Sequence, residues 1–325
     1  MSKSTSLINS TNINQLVQSV ATVASIEPDI VIEALAPTSH FIKPHGFRPN
    51  SLFVGREEEL QKLHKHLFNK AKRSEGVAAV LIQSIPGGGK THLARQYVYK
   101  HLSDFPGGVF WVTAKSMEQL KAGFWRIAET VALKPSQIAT LPRDPDNFVQ
   151  CVTDWFASHH EWLLVLDGIH FSHDDELRQF IPDSKNSSLL YTSTEKNVGG
   201  DHHFMNPTVI RLPQLSAREA QELFLLELGK KKPSIDDLTE AMKLVQRMGF
   251  LPEVIHVAAK RLKETGEPLA KFARAYNQGP KLRALDTFVA VKDQLMKENA
   301  SEAINLMQII CYFAGNIPVE MINLG

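Results

Sequence analysis

Apolar and polar positions change rhythm twice along the 325-residue chain. Residues 1–49 are rich in Ser, Thr, Asn and Pro and carry two modest apolar pieces, 16–23 and 30–36. The first has the spacing of an amphipathic helix and the second that of a short strand. Neither buries much surface alone, so the segment is expected to be an arm or linker. From Val54 onward the texture is that of a packed chain, with Leu60, Leu63 and Leu67 recurring at helical spacing over 57–70. Five short runs of apolar, β-branched and aromatic residues follow, at 77–83, 108–113, 162–166, 189–192 and 209–212. Helical patterns over 90–102, 117–133 and 146–159 separate the first three and are long enough to be crossovers. This alternation predicts an α/β fold with a five-stranded parallel sheet.

After Leu212 the strand signals stop. Ser216 with Glu219 forms a capping box, Gly229 closes the helix it opens, and Ser234 opens another that ends before Gly249. Pro252 stands where a third helix begins. The expected division is an arm over 1–49, an α/β domain over 50–213 and a helical domain over 214–280. The start of a further domain is expected over 281–325, with the chain ending inside it.

The run 77–83 leads directly into Ser84-Ile85-Pro86-Gly87-Gly88-Gly89-Lys90-Thr91 and then into a helical pattern. Strand, glycine-rich turn and helix in that order predict a phosphate-binding loop. Gly87, Gly88 and Gly89 let backbone amides approach phosphate oxygens closely, and the helix N-terminus adds partial positive charge. Lys90 is expected to bridge the β- and γ-phosphates, Thr91 to ligate Mg²⁺, and His92 to join the cofactor contacts. Ser84 occupies a position that such loops usually give to glycine. The apolar run ending in Asp167 supplies the second Mg²⁺ ligand and the candidate catalytic carboxylate. No acid follows at Gly168, Ile169, His170 or Phe171, so efficient hydrolysis lacks an obvious general base, and His170 is the alternative to test.

Composition narrows the partners. With 36 basic and 35 acidic side chains the net charge is +1, which provides no global field for nucleic acid or an anionic membrane. Two cysteines 160 positions apart form neither a disulfide framework nor a metal spacing. The polar beginning lacks the apolar core of a signal peptide, and a cytoplasmic location is expected. His159-His160 and His202-His203 point in different directions on regular structure and are not read as metal ligands.

The set Val54-Gly55-Arg56-Glu57, the phosphate loop, the LLVLD strand, LPQLSAREAQELF and Gly249-Phe250-Leu251-Pro252 resembles, in order and context, the NB-ARC nucleotide-binding module. The chain looks like a fungal NOD-like receptor of the STAND class of signalling P-loop NTPases. The resemblance covers roughly residues 50–325 and implies that Val54, Arg56 and Pro252 line an adenine pocket. It implies a winged-helix domain from about residue 281, ADP or ATP with Mg²⁺ as ligands, and self-association on activation. A ligand read by C-terminal repeats outside this chain is implied as well. Thr194 stands where the family commonly has an Arg that senses the γ-phosphate. The function expected is a nucleotide-operated switch with at most slow ATP hydrolysis. An active ATPase motor or loader and a STAND-type transcription regulator are the alternatives.

Overall fold

The computed structural model describes residues 40–132, 145–170, 174–195 and 201–278. Six strands, all parallel, form one sheet in the order β1-β3-β4-β5-β2-β6: β1 (Phe41–Ile42), β2 (Ala78–Gln83), β3 (Gly108–Thr113), β4 (Trp162–Asp167), β5 (Ser188–Ser193) and β6 (Thr208–Arg211). Five of them are the runs read from the sequence. The sixth, β1, lies in the segment expected to be an arm, where it pairs Phe41 with Val109 and Ile42 with Phe110 at the sheet edge. Two residues are too few to show the alternation by which a strand is recognised. Phe47 just beyond is also buried, stacked on Tyr99 and tilted against Trp111. The apolar pieces at 16–23 and 30–36, Cys311 and the segment 281–325 lie outside the described residues.

Helices cover both faces, which is why the central strands read as continuous apolar runs. Alternate residues of each strand serve opposite layers. Val80, Ile82, Val109, Trp111, Leu163, Val165 and Leu190 pack on α1 (Glu57–Leu67) and α3 (Lys90–Lys100). Ala79, Leu81, Phe110, Val112, Leu164, Leu166, Leu189 and Tyr191 pack on α4 (Met117–Ile127) and α5 (Pro145–Ser158). Trp162 anchors the base of β4, wholly buried, with its indole N–H donating to Phe156 O at 3.0 Å. Short helices α2 (Lys70–Glu75) and α6 (Asp174–Arg178) complete this layer structure.

A separate apolar cluster forms among α7 (Ala217–Glu227), α8 (Ile235–Arg247), α9 (Pro252–Thr265) and α10 (Leu269–Gln278), centred on Phe224, Leu244, Ile255 and Ala259. The capping box read from the sequence is present, Ser216 with Glu219, and Ser234, read as the start of a helix, forms a second one with Asp237. Glu219 does more than cap. Its Oε2 accepts from Ser216 N–H at 2.8 Å while its Oε1 accepts from Arg56 N–H at 3.1 Å, tying α7 to the start of α1. Burial opposes ionisation of Glu219, but the hydrogen bonds from Ser216 and Arg56 outweigh it and hold its carboxyl below the usual value.

Glu219→Ala therefore removes a cap and an inter-unit tie together, and is expected to cost about 1–2 kcal/mol in urea unfolding. The pH dependence has a definite sign. A carboxyl with a depressed folded pKa contributes stability that is complete above its unfolded value, about 4.3, and is lost as pH falls through the folded value. The gap between wild type and Glu219→Gln should be full at neutral pH and close in acid. A gap that widens below pH 4 would contradict the role given to Glu219.

Candidate nucleotide site

β2 delivers the chain to the carboxyl edge of the sheet, where residues 84–89 turn back into α3. Gly87 and Gly89 have φ of 72° and 93°, values that side chains disfavour, and Gly89 is the N-cap of α3. The Ser84 departure is accommodated inside the loop. A Cβ on Gly88 would lie 2.3 Å from Ser84 Oγ, so the hydroxymethyl group occupies room that Gly88 leaves open. Lys90 Nζ donates to Ser84 O at 2.9 Å and to Ile85 O at 3.0 Å, closing the loop on itself. Burial draws the Lys90 ammonium below its ordinary pKa, with Asp167 acting in the other direction.

Asp167 ends β4 with its side chain buried. Its Oδ1 accepts from Thr91 Oγ1 and from Thr192 Oγ1, each at 2.7 Å, and Thr192 Oγ1 in turn accepts from Gly168 N–H at 2.8 Å. Thr192 was not singled out by sequence reading. Its signal is positional, since the register pairs it directly with Asp167 across β4 and β5. Because β5 lies between β4 and β2, a hydroxyl at its tip can fix the carboxylate that faces the loop helix.

A cavity of about 520 Å³ opens over this edge. The predicted residues Val54, Arg56, Gly87, Gly88, Gly89, Lys90, Thr91, His92 and Pro252 all line it. Arg56 is held in place rather than free. It adopts a left-handed backbone at φ 65°, its Nη2 donates to Pro213 O at 2.6 Å, and its Nη1 lies 3.5 Å from Glu59 Oε1. His92 Nδ1 lies 3.2 Å from Asn50 Nδ2. The lining also includes Lys115, Glu227, Glu253 and His256, which sequence reading passed over, with His256 Nδ1 2.8 Å from Glu227 Oε1. α9 comes from the helical cluster yet meets the loop directly. Glu253 N–H donates to Gly87 O at 3.2 Å, and a Cβ on Gly87 would lie 2.7 Å from Glu253 Cβ.

His170 stands apart, its Nδ1 3.4 Å from Glu195 Oε1, and lines neither this cavity nor its neighbour. Thr194 lines that neighbour, a second cavity of about 530 Å³ behind the loop, with Ser84, Ile85 and Arg211. Two further clusters bring His and Asp side chains together among the described residues, His64/His101/Asp104 and Asp201/His202/His203. In the first the imidazoles stack at 4.3 Å with planes 24° apart, so their in-plane lone pairs do not converge on one ion. Among the described residues no helix is long and apolar enough to cross a membrane.

Comparison with known proteins gives one family, the NB-ARC domain, matched over residues 56–234. No curated protein matches the chain. Among solved structures it is similar to a STAND protein with a tetratricopeptide repeat sensor from Pyrococcus horikoshii, at 16% identity and TM-score 0.44, over 65% of this chain and 30% of that one. It is similar to the RuvB Holliday junction branch migration motor of Thermotoga maritima, at 18% identity and TM-score 0.40, over 67% and 65%. The Orc1 protein of Aeropyrum pernix, solved in complex with DNA, gives 14% identity and TM-score 0.46, over 72% and 67%. This chain thus spans less than a third of the length of the STAND protein. With the family match extending over more than half of its residues and the glycine loop, Lys90, Thr91 and Asp167 gathered at one sheet edge, the chain belongs to the NB-ARC domain family of nucleotide-binding P-loop NTPases.

Proposed function

We propose that the chain is the ADP/ATP-operated switch of a fungal NOD-like receptor of the STAND class, acting in cytoplasmic innate-immune signal transduction. The observation that supports this most is the contact of Gly87 O with Glu253 N–H, which sets the phosphate loop against the first turn of α9. A nucleotide in the cavity touches both units at once, so its identity biases their mutual placement. The nucleotide domain is assigned to 50–213, the helical domain to 214–280 and the start of a winged helix to 281–325. Phosphates rest on Gly87, Gly88, Gly89 and Lys90, with His92 beside them, and the adenine lies among Val54, Arg56 and Pro252.

The residues fit a divalent cation. A hydroxyl and a carboxylate 2.7 Å apart, Thr91 and Asp167, are the hard oxygen donors that Mg²⁺ takes, and the ion would neutralise phosphate charge when bound. The chain's own groups do the rest: Thr192 orients the carboxylate, the loop amides hold phosphate oxygens, and Lys90 exchanges its carbonyl partners for phosphate. Exchange of ADP for ATP then releases the helical domain and permits self-association, under control of a ligand read by C-terminal repeats outside these residues. Turnover is slow because no acid follows Asp167, Thr194 carries no charge, and His170 is engaged with Glu195.

Three measurements test this. Lys90→Ala is expected to lower ADP affinity at least about tenfold in calorimetric titration, since a charge-assisted phosphate contact is worth ~1.5–3 kcal/mol. Unchanged affinity would remove Lys90 from the site. Steady-state ATP hydrolysis by the wild type should fall far below the ~10 s⁻¹ typical of enzymes. Asp167→Asn should weaken Mg²⁺-dependent ATP binding more than ADP binding. Several turnovers per second would instead favour a continuously cycling motor.

A further inference from the structure

Lys115 occupies a position that neither the loop nor the carboxylate explains. β3 ends at Thr113, paired with Asp167, and Ala114 N–H donates to Asp167 O at 2.8 Å. The next residue, Lys115, is exposed at the carboxyl edge of the sheet. Its stem runs across the turn after β4: a Cβ built on Gly168 would lie 2.7 Å from Lys115 Cγ and 3.4 Å from its Cε. The side chain lines the same cavity as Lys90 and Thr91. Among the described residues its ammonium has no hydrogen bond or ion pair, whereas Lys90 Nζ is held by two loop carbonyls.

The cavity lining is mixed: Val54, Leu215 and Pro252 are apolar, Lys90, Thr91 and Lys115 bring cations and a hydroxyl, and Glu227, Glu253 and His256 complete it. In the sheet order β5 and β4 separate the loop strand β2 from β3, so Lys115 reaches toward the loop from the far side of Asp167. Phosphates held on the loop that follows β2 therefore lie on one side of Asp167 and Lys115 on the other, so a longer phosphate chain extends toward Lys115. We propose that Lys115 is a second phosphate-reading cation, which contacts the terminal phosphate of a nucleoside triphosphate, leaves a diphosphate untouched and so sets the preference between them. This rests on the nucleotide-switch reading above.

The same geometry accounts for the missing acid. Gly168 has φ 82° and the Lys115 stem lies over it, so the place where a water-polarising carboxylate would follow Asp167 is taken by an aliphatic chain ending in a cation. A positive group there stabilises a bound triphosphate and removes no proton from water. The turn is thereby suited to holding ATP rather than hydrolysing it.

Calorimetric titration of the full chain with Mg·ADP and with Mg·AMP-PNP, the β,γ-imido analogue of ATP, tests this. Lys115→Met keeps the stem over Gly168 and deletes the charge. Affinity for the imido analogue is expected to fall about tenfold or more, affinity for ADP to stay within about twofold, and Lys115→Arg to restore most of the loss. Equal losses for both nucleotides, or no loss for either, would overturn the assignment. A wild type that binds both nucleotides beside an unaffected Lys115→Met overturns this proposal alone. A wild type that binds neither overturns the switch reading with it.

Discussion

The architecture depends on one close approach, between the backbone of the phosphate loop and the first turn of α9. A helix begins with amide donors that have no intrahelical acceptor, and α9 has no side-chain cap at Leu251. Pro252 removes one of those donors and Gly87 O satisfies the next, at Glu253. The loop must present a carbonyl at that place, which the positive φ of Gly87 allows, and it must carry no side chain, because a Cβ would press on Glu253. A single glycine therefore meets two demands, that of the loop for open amides and that of the helical cluster for a docking point.

A second tie lies at the same cavity. Arg56 N–H meets Glu219, and Arg56 Nη2 meets Pro213 O, so the chain before α1 is fastened to the linker before α7. On the proposed reading, two attachments at one cavity make the relative placement of the units sensitive to what fills it. They differ in character. The Arg56 tie joins a buried guanidinium to Pro213 O and a backbone N–H to Glu219, and it uses no group of the phosphate loop. The loop tie shares its backbone with the groups that would hold phosphate. On the proposed switch reading, rearrangement on ligand exchange is expected at Gly87 and α9, with Arg56 and Glu219 acting as the pivot.

Most of the sheet was legible because its central strands are buried on both faces, so their apolar runs are continuous and bounded by turns. The boundaries of β3 agree with the sequence reading, as do the capping box at Ser216 and the helix start at Ser234, where local chemistry decides the structure. β1 escaped because an edge strand of two residues has no period. At the site, Lys90, Thr91 and Asp167 were legible through strand–loop–helix order. Thr192 and Lys115 were not, since each matters only through a neighbouring strand's register with Asp167, and lateral register is not written in local sequence. The arm reading failed for residues 40–49 for a related reason: Phe41 and Phe47 are isolated apolar residues whose partners, Tyr99 and Trp111, lie far along the chain.

On the proposed reading, charge at the carboxyl edge of the sheet favours retention over turnover. Asp167 spends Oδ1 on two hydroxyls, Thr91 and Thr192, which fixes its orientation and binds it to the loop helix. A carboxylate held in this manner has its position set before any ligand arrives, which suits it to be a cation ligand. Lys90 rests on loop carbonyls, so recruiting it to phosphate exchanges one set of acceptors for another and changes the loop that α9 leans on. Lys115 needs no such exchange, having no partner among the described residues to give up. Of the two cations on the proposed phosphate path, then, one is coupled to the loop and the docked helix, and the other adds affinity without disturbing either.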